Sequence, residues 1–306
     1  MQKGKIKVLG SASMTAVVEI DRMPGPGEQV VGRRMLMTPG GKGSNQAIAA
    51  SRLGGDVELY CKMGNDYFRN ELVGLLKKEG VKLVELRRSM MHTGTGIIMV
   101  EPTGRNTIIS VRGSNNDIKD LDIKRVRLHN GDIAVSQLSV THSAVIKFFK
   151  KAKQARCTTI LNCAPRVECS SALLDMADYL IFNEFELMHF GGVTFMNHET
   201  EKILDAANQL RSKNQVVIAT LGADGLLAVG PFGNIRLKAH KVKAIDTTGA
   251  GDCFVGAFAF AMSNGKDINY ALKFANAAAA ISVTELGATT AFPNSAMVKS
   301  LMQTRI

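Results

Sequence analysis

Asp246-Thr247-Thr248-Gly249-Ala250-Gly251-Asp252 is followed at once by the apolar run from Cys253 to Met262. Phe254, Val255, Ala257, Phe258, Ala259 and Phe260 predict a buried helix there. The small residues Gly249, Ala250 and Gly251 leave the backbone uncovered at its first turn. Free N–H groups and the positive end of the helix macrodipole make such a turn an anion site. Asp252 stands at its edge. A carboxylate in that place repels a resting anion, so its chemical use is to take a proton. The pattern suits phosphoryl transfer: a hydroxyl gives its proton to Asp252 while the N–H groups hold the migrating phosphoryl oxygens. The plainer alternative is an aspartate that only caps a helix. These seven residues alone leave the two evenly matched.

A second glycine-rich stretch, Pro39-Gly40-Gly41-Lys42-Gly43-Ser44-Asn45-Gln46, runs into a helical segment expected over 47–53. It is not a Walker A loop, because Gly43 follows Lys42 where Ser or Thr would be needed, and its glycines do not have GxGxxG spacing. Asn45 at the mouth of this helix suits either hydroxyl recognition or a tight turn.

The elements that must position these stretches follow from the apolar pattern. Strands are expected over 6–9, 16–20, 30–37, 57–62, 95–100, 106–111, 133–135, 158–161, 179–182 and 216–221. Helices are expected over 67–79 and 143–154, with another opening at Asn183-Glu184-Phe185-Glu186. Short apolar strands separated by helices predict an α/β fold with a mostly parallel central sheet covered on both faces. Pro24-Gly25-Pro26-Gly27 and Pro102-Thr103-Gly104 each join two strands without a helix, which predicts hairpins standing off the main sheet. No repeat, low-complexity tract or linker divides the 306 residues, so one domain is expected. In such sheets ligands bind beyond the carboxyl ends of the strands. The polar clusters at 11–13, 40–45, 183–186, 220–225 and 246–252 all fall at that edge.

Composition bounds the partners. The chain is 45% apolar and 21% charged, as in ordinary globular proteins, and no apolar run reaches membrane-spanning length. Met1 to Lys5 leads straight into a strand and has neither signal- nor transit-peptide character. Five cysteines without CxxC spacing and six scattered histidines without HExxH argue for a reducing cytoplasm and against a zinc site. The net charge of +11 favours anionic partners. With no tryptophan and only 17 other aromatic residues, stacking platforms for nucleic acid are not expected, and small phosphates such as ATP are the milder choice.

Taken in order, these motifs resemble those of the ribokinase / phosphofructokinase-B family of ATP-dependent sugar and nucleoside kinases. Residues 39–47 resemble the family's first signature and 246–254 its second. Asn183-Glu184-Phe185-Glu186 matches the N-E-x-E motif, and Thr220-Leu221-Gly222 and Phe274 to Ala280 also fit; the likeness runs from Ile6 to about Pro293. The resemblance implies a ribokinase-like fold with a small β lid, at about 13–38 and 95–112, over a sugar. In ribokinases that lid is also a homodimer surface. Asp252 would be the general base, with the amides of Gly249, Ala250 and Gly251 as the anion hole. Asn183 and Glu186 would face the nucleotide phosphates and Mg²⁺. Thr220, Leu221, Gly222, Ala223, Asp224, Gly225 and Asn276 would line the nucleotide site, and Gly41, Lys42, Gly43 and Asn45 would contact the sugar. A monovalent cation, K⁺, would be held by Asp246, Thr248, Ser282, Glu285, Gly287 and Ala291, mostly through carbonyls. The resemblance leaves two alternatives: a nucleoside kinase of the same family, against which the Gly40-Gly41-Lys42-Gly43 stretch favours a small sugar, and an ATP-binding regulator that has lost turnover, against which the intact Asp252 argues.

The chain departs from the ribose-binding pattern at three positions. Family members that bind ribose carry Asn-x-Asp where Ser13-Met14-Thr15 stands, and an acid after Gln-Leu where Gln137-Leu138-Ser139 stands. Neutral hydroxyls therefore replace two carboxylates, which predicts altered acceptor choice with the phosphoryl-transfer half intact.

Overall fold

The computed structural model describes residues 4–103 and 105–303; Gly104, in the turn expected at 102–104, and the residues before Gly4 lie outside them. In chain order the elements are β1 (Ile6–Leu9), β2 (Ser13–Ile20), β3 (Gly32–Gly40), α1 (Lys42–Arg52), β4 (Val57–Cys61), α2 (Tyr67–Lys78), β5 (Lys82–Glu85), β6 (Gly94–Val100) and β7 (Asn106–Val111). Then come β8 (Ile133–Gln137), α3 (His142–Gln154), β9 (Thr158–Asn162), α4 (Ser171–Leu174), β10 (Tyr179–Asn183), α5 (Glu184–Gly191), α6 (Thr200–Leu210) and β11 (Val216–Thr220). The chain closes with β12 (Leu226–Gly230), β13 (Gly233–Leu237), α7 (Ala250–Ser263), α8 (Ile268–Ser282) and α9 (Ser295–Gln303).

Among the described residues nine strands make one sheet in the order β13-β12-β11-β10-β9-β8-β1-β4-β5. From β11 to β5 every pairing is parallel, and β12 and β13 add an antiparallel edge. The strands alternate between two cores, as a period of two requires. Ile133, Val135, Ile160, Ile181 and Ile218 pack on one face with α1, α7 and α8. Ala134, Leu161, Leu180, Phe182 and Val217 pack on the other with α3, α5 and α6. Both faces being covered explains why the strands read as continuous apolar runs.

A second sheet, β3-β2-β6-β7, combines the two expected hairpin segments. The hairpins meet through a parallel pairing of β2 with β6. Its roots are at the carboxyl edge of the main sheet, because β2 starts four residues after β1 ends and β3 ends just before α1. Asn115 pins that root, accepting the Ala12 N–H at 3.0 Å and donating to the Ala12 carbonyl at 3.1 Å.

Two features depart from expectation. Helix α1 starts at Lys42 and not near Ala47, so the glycine-rich stretch is the first turn of the helix. Gly43 and Ser44 are poor helix formers, but they are buried and the Ser44 N–H donates to the Ser11 carbonyl at 3.0 Å. Tertiary contact overrides propensity here. Strands β5, β12 and β13 and helices α4, α6, α8 and α9 go beyond the expected set; β5 and β13 are the two edge strands of the large sheet, and β12 lies next to β13.

Candidate active site

Helix α7 carries the site, and its apolar residues anchor it. Phe254, Val255, Ala257, Phe258 and Ala259 are each almost wholly buried, so the helix is enclosed all round, as its sequence predicts. Gly249 is the residue before the first turn, with φ of 80°, a left-handed conformation that favours glycine. Further along, Gly256 lies so close to α1 that a Cβ there would stand 2.6 Å from the Gln46 carbonyl oxygen. That close approach brings the start of α1 to the start of α7.

Asp252 is the third residue of α7 and only 7% exposed, and it caps nothing. Its carboxylate is held by α1 instead. The Asn45 Nδ2 donates to Oδ2 and the Gln46 Nε2 to Oδ1, both at 2.9 Å. A buried carboxylate needs such partners, since leaving it unpaired costs several kcal/mol, about 3 or more. Both donors are neutral amides, so the carboxylate is held without an ion pair. This geometry decides against the helix-cap alternative.

Asp252 faces a cavity of about 150 Å³, room for reacting groups and not for a whole nucleotide. Lys42, Asn183, Glu186, Thr220, Gly249 and Gly251 share its lining with Asp252. Ala250 differs from its two neighbours: its N–H already donates to the Thr247 carbonyl at 3.2 Å. Asn183 and Glu186 form a reciprocal cap on α5, with Asn183 Oδ1 accepting the Glu186 N–H at 2.8 Å and Glu186 Oε2 accepting the Asn183 N–H at 2.9 Å. Burial pushes the Glu186 carboxyl above its usual range, against the pull of that N–H and of Lys42; the Asp252 charge pushes the same way as burial.

Other expected residues stand apart from this cavity. Leu221 has its side chain in the core, while Gly222, Ala223 and Asp224 form a short 3₁₀ turn ending at Gly225. Asn276 donates to the Lys238 carbonyl at 2.8 Å. Ser13 Oγ accepts from Asn115 Nδ2 at 3.1 Å, and Ser139 shares a 2.8 Å hydrogen bond with Ser11. Thr15 lies beside Gly40 and Gly96 on the small sheet, its pairing partners being Thr38 and Gly96. Gly41 precedes α1 and Gly43 sits in its first turn.

Asp246 ties two loops together, accepting the Thr248 N–H and the Gly287 N–H, both at 2.9 Å. Burial pushes its carboxyl up, and the bonds from Thr248 and Gly287 outweigh that, holding it below the usual range. Ser282 Oγ turns back onto the Ala279 carbonyl at 2.9 Å, Glu285 is exposed and Ala291 is buried. Among the described residues no group of three or more His, Cys, Asp or Glu side chains is placed to hold a metal.

Three residues of the site carry no role in the sequence reading: Gln46, Gln137 and Asn162. The last two end β8 and β9, and with Asn183 and Thr220 they make a row of polar residues at the carboxyl edge of adjacent strands. A polar residue closing an apolar strand was the available signal. Asn162 also lines the cavity.

A family model described as pfkB family carbohydrate kinase matches residues 3–295. The chain belongs to the pfkB family of carbohydrate kinases. A relative from Bacillus subtilis (strain 168), named ribokinase, is 33% identical over 302 residues, covering 97% of this chain and 99% of its own. Among solved structures, the ribokinase of Thermotoga maritima superposes with a TM-score of 0.85 at 32% identity, covering 98% of this chain and 99% of its own. The Arabidopsis thaliana ribokinase, solved with ribose and ATP, gives 0.87 at 29% identity, covering 99% and 100%. The ribokinase-like fold of this pfkB kinase, a large mostly parallel sheet flanked by helices, agrees with these neighbours.

Proposed function

We propose that the chain transfers the γ-phosphoryl group of ATP to a primary hydroxyl of a sugar or sugar derivative, with Asp252 as general base. The observation that carries this is a carboxylate held by two amide N–H groups beside a glycine-rich helix start. As the acceptor oxygen bonds to the γ-phosphorus, its proton passes to Asp252 and the bond to the β-phosphate oxygen breaks, releasing ADP. The Gly249 and Gly251 backbone at the positive helix end stabilises charge on the migrating group. Asn45, whose Oδ1 is buried with no partner, is suited to accept a hydrogen bond from the acceptor. Asn183, Thr220, the 221–225 turn and Asn276 form the nucleotide side, with Lys42 on the acceptor side. The test is ADP release with D-ribose, D-fructose, D-gluconate and D-fructose 6-phosphate as acceptors. Stimulation by at least one supports the assignment, and release that ignores every sugar speaks against it.

Glu186 fits Mg²⁺, which commonly binds through one or two carboxylates plus substrate phosphates. It would bring the metal to the cavity wall, where the ion supplies charge neutralisation of the phosphates. The Asp246 clamp and neighbouring carbonyls form a hard-oxygen set with one carboxylate, which suits a monovalent cation. Activity is therefore expected to rise when K⁺ is added to a buffer holding only a quaternary ammonium salt. A flat response would remove the cation from this loop.

The small sheet is read as a lid and as a homodimer surface. Cross-strand register puts Met37, Ala16, Ile97 and Ile109 in one row, on the face opposite Ser13 and Thr15. Met37, Ile97 and Ile109 are all exposed. A second copy of the chain covering this row leaves the Thr15 face for the sugar. Light scattering should give a dimer for the wild type and a monomer for Met37→Glu/Ile109→Glu; an unchanged mass for the variant would contradict this. The five unpaired cysteines support a cytoplasmic setting, and among the described residues no helix is long and apolar enough to cross a membrane.

A further inference from the structure

Asp252 takes one of its hydrogen bonds from Gln46, and Gln46 is itself held by two residues from the sheet. Its Nε2 donates to Asp252 Oδ1 at 2.9 Å and to Asn162 Oδ1 at 3.1 Å. Its Oε1 accepts from Gln137 Nε2 at 2.7 Å. Gln46 and Gln137 are 1% and 0% exposed, so bulk solvent does not reach these amides.

An amide has a donor end and an acceptor end, and an ionised carboxylate only accepts. Turned over, the Gln46 amide would set its oxygen against Asp252 and push the carboxylate away. Both neighbours oppose that turn. Asn162 Nδ2 is committed to the Ile181 carbonyl at 3.3 Å, which leaves Asn162 Oδ1 to face the Gln46 NH₂ group. Gln137 presents its own NH₂ to Gln46 Oε1, while its Oε1 is buried with no partner. That orphaned oxygen has a cost, and the orientation of Gln137 is the one that serves Gln46. The side chain is also tightly packed: a Cβ on Gly10 would stand 2.3 Å from Gln137 Oε1.

We propose that Gln46 is a positioning residue for Asp252, and that Gln137 fixes which end of the Gln46 amide faces the carboxylate. This rests on the assignment of Asp252 as the base. The pair holds the carboxylate from the sheet side, leaving its cavity side for the acceptor hydroxyl. Because the donors are neutral amides, they orient the carboxylate without setting a formal positive charge against it.

The test uses Gln46→Met and Gln137→Met, close in length and without an amide, in the wild-type and Asp252→Asn backgrounds. The assay is ADP release with Mg²⁺-ATP and the fastest of the four acceptors named above. Gln46→Met should lower kcat about 10- to 100-fold, the scale of a misplaced reacting group, with KM for ATP nearly unchanged. Gln137→Met should lower it less, by about 3- to 10-fold, since the Gln46 amide remains. Neither change should lower the Asp252→Asn rate further. Wild-type kcat in both variants, or the same fractional loss in both backgrounds, would make these glutamines packing residues and overturn the proposal. If Gln46→Met does not fold, Gln137→Met, which does not touch Asp252, decides the matter by the same criterion. An Asp252→Asn protein with undiminished kcat would instead remove the base itself.

Discussion

Asp252→Asn should lower kcat by about 10² or more, the usual contribution of a general base, with ATP affinity nearly intact. Asparagine keeps the size of the side chain and an oxygen able to accept one amide N–H, but it cannot take the acceptor proton. It also sets an NH₂ against the donors of Asn45 or Gln46, which now reach the carboxylate at 2.9 Å. A tenfold loss corresponds to about 1.4 kcal/mol of transition-state stabilisation, so the expected effect is about 3 kcal/mol or more. Calorimetry of ATP binding beside steady-state kcat separates this from misfolding. Equal kcat in the two proteins would remove Asp252 from the mechanism.

D-Ribose should be a poor acceptor, with kcat/KM well below that of a modified or anionic sugar. Where ribose kinases of the family place acids, Thr15 and Ser139 offer hydroxyls, and Ser139 already spends a hydrogen bond on Ser11. Each lost acceptor for a ribose hydroxyl costs about 1–3 kcal/mol, which is about 5- to 150-fold in rate. Two fewer negative charges than the ribose-binding pattern favour an acceptor carrying a phosphate or carboxylate, and the net charge of +11 assists its approach. Thr15→Asp with Ser139→Glu should raise kcat/KM for ribose at least about tenfold and depress it for the anionic sugar. The check is kcat/KM across the acceptor panel for both proteins. If the wild type handles ribose best, the hydroxyls are tolerated variants in an ordinary ribose kinase.

The apolar runs made most of the fold legible. Strands covered on both faces have few polar interruptions, so β1, β4 and β8 to β11 stand out, and their carboxyl ends locate the site. Edge strands are harder to see. β5, Lys82-Leu83-Val84-Glu85, has one exposed and three half-buried residues and no long apolar run. The α1 start was hidden because Gly and Ser argue against helix locally, whereas contact with the Ser11 carbonyl sets the conformation. Within the site, Asp252 and the Gly249 turn were readable from spacing. Gln46 and Gln137 were not: they are 91 residues apart, and only the packing of α1 against both β8 and α7 brings their amides into line.

The most direct test follows the phosphoryl group itself. Wild type and Asp252→Asn are incubated with γ-labelled ATP, Mg²⁺ and each sugar of the panel, and the products are separated and identified by mass. Label should appear on the primary hydroxyl of a sugar in step with ADP formation, and at about a hundredth of that rate or less in the variant. Label found only in inorganic phosphate, or reaching the sugar equally fast in both proteins, would contradict phosphoryl transfer with Asp252 as the base.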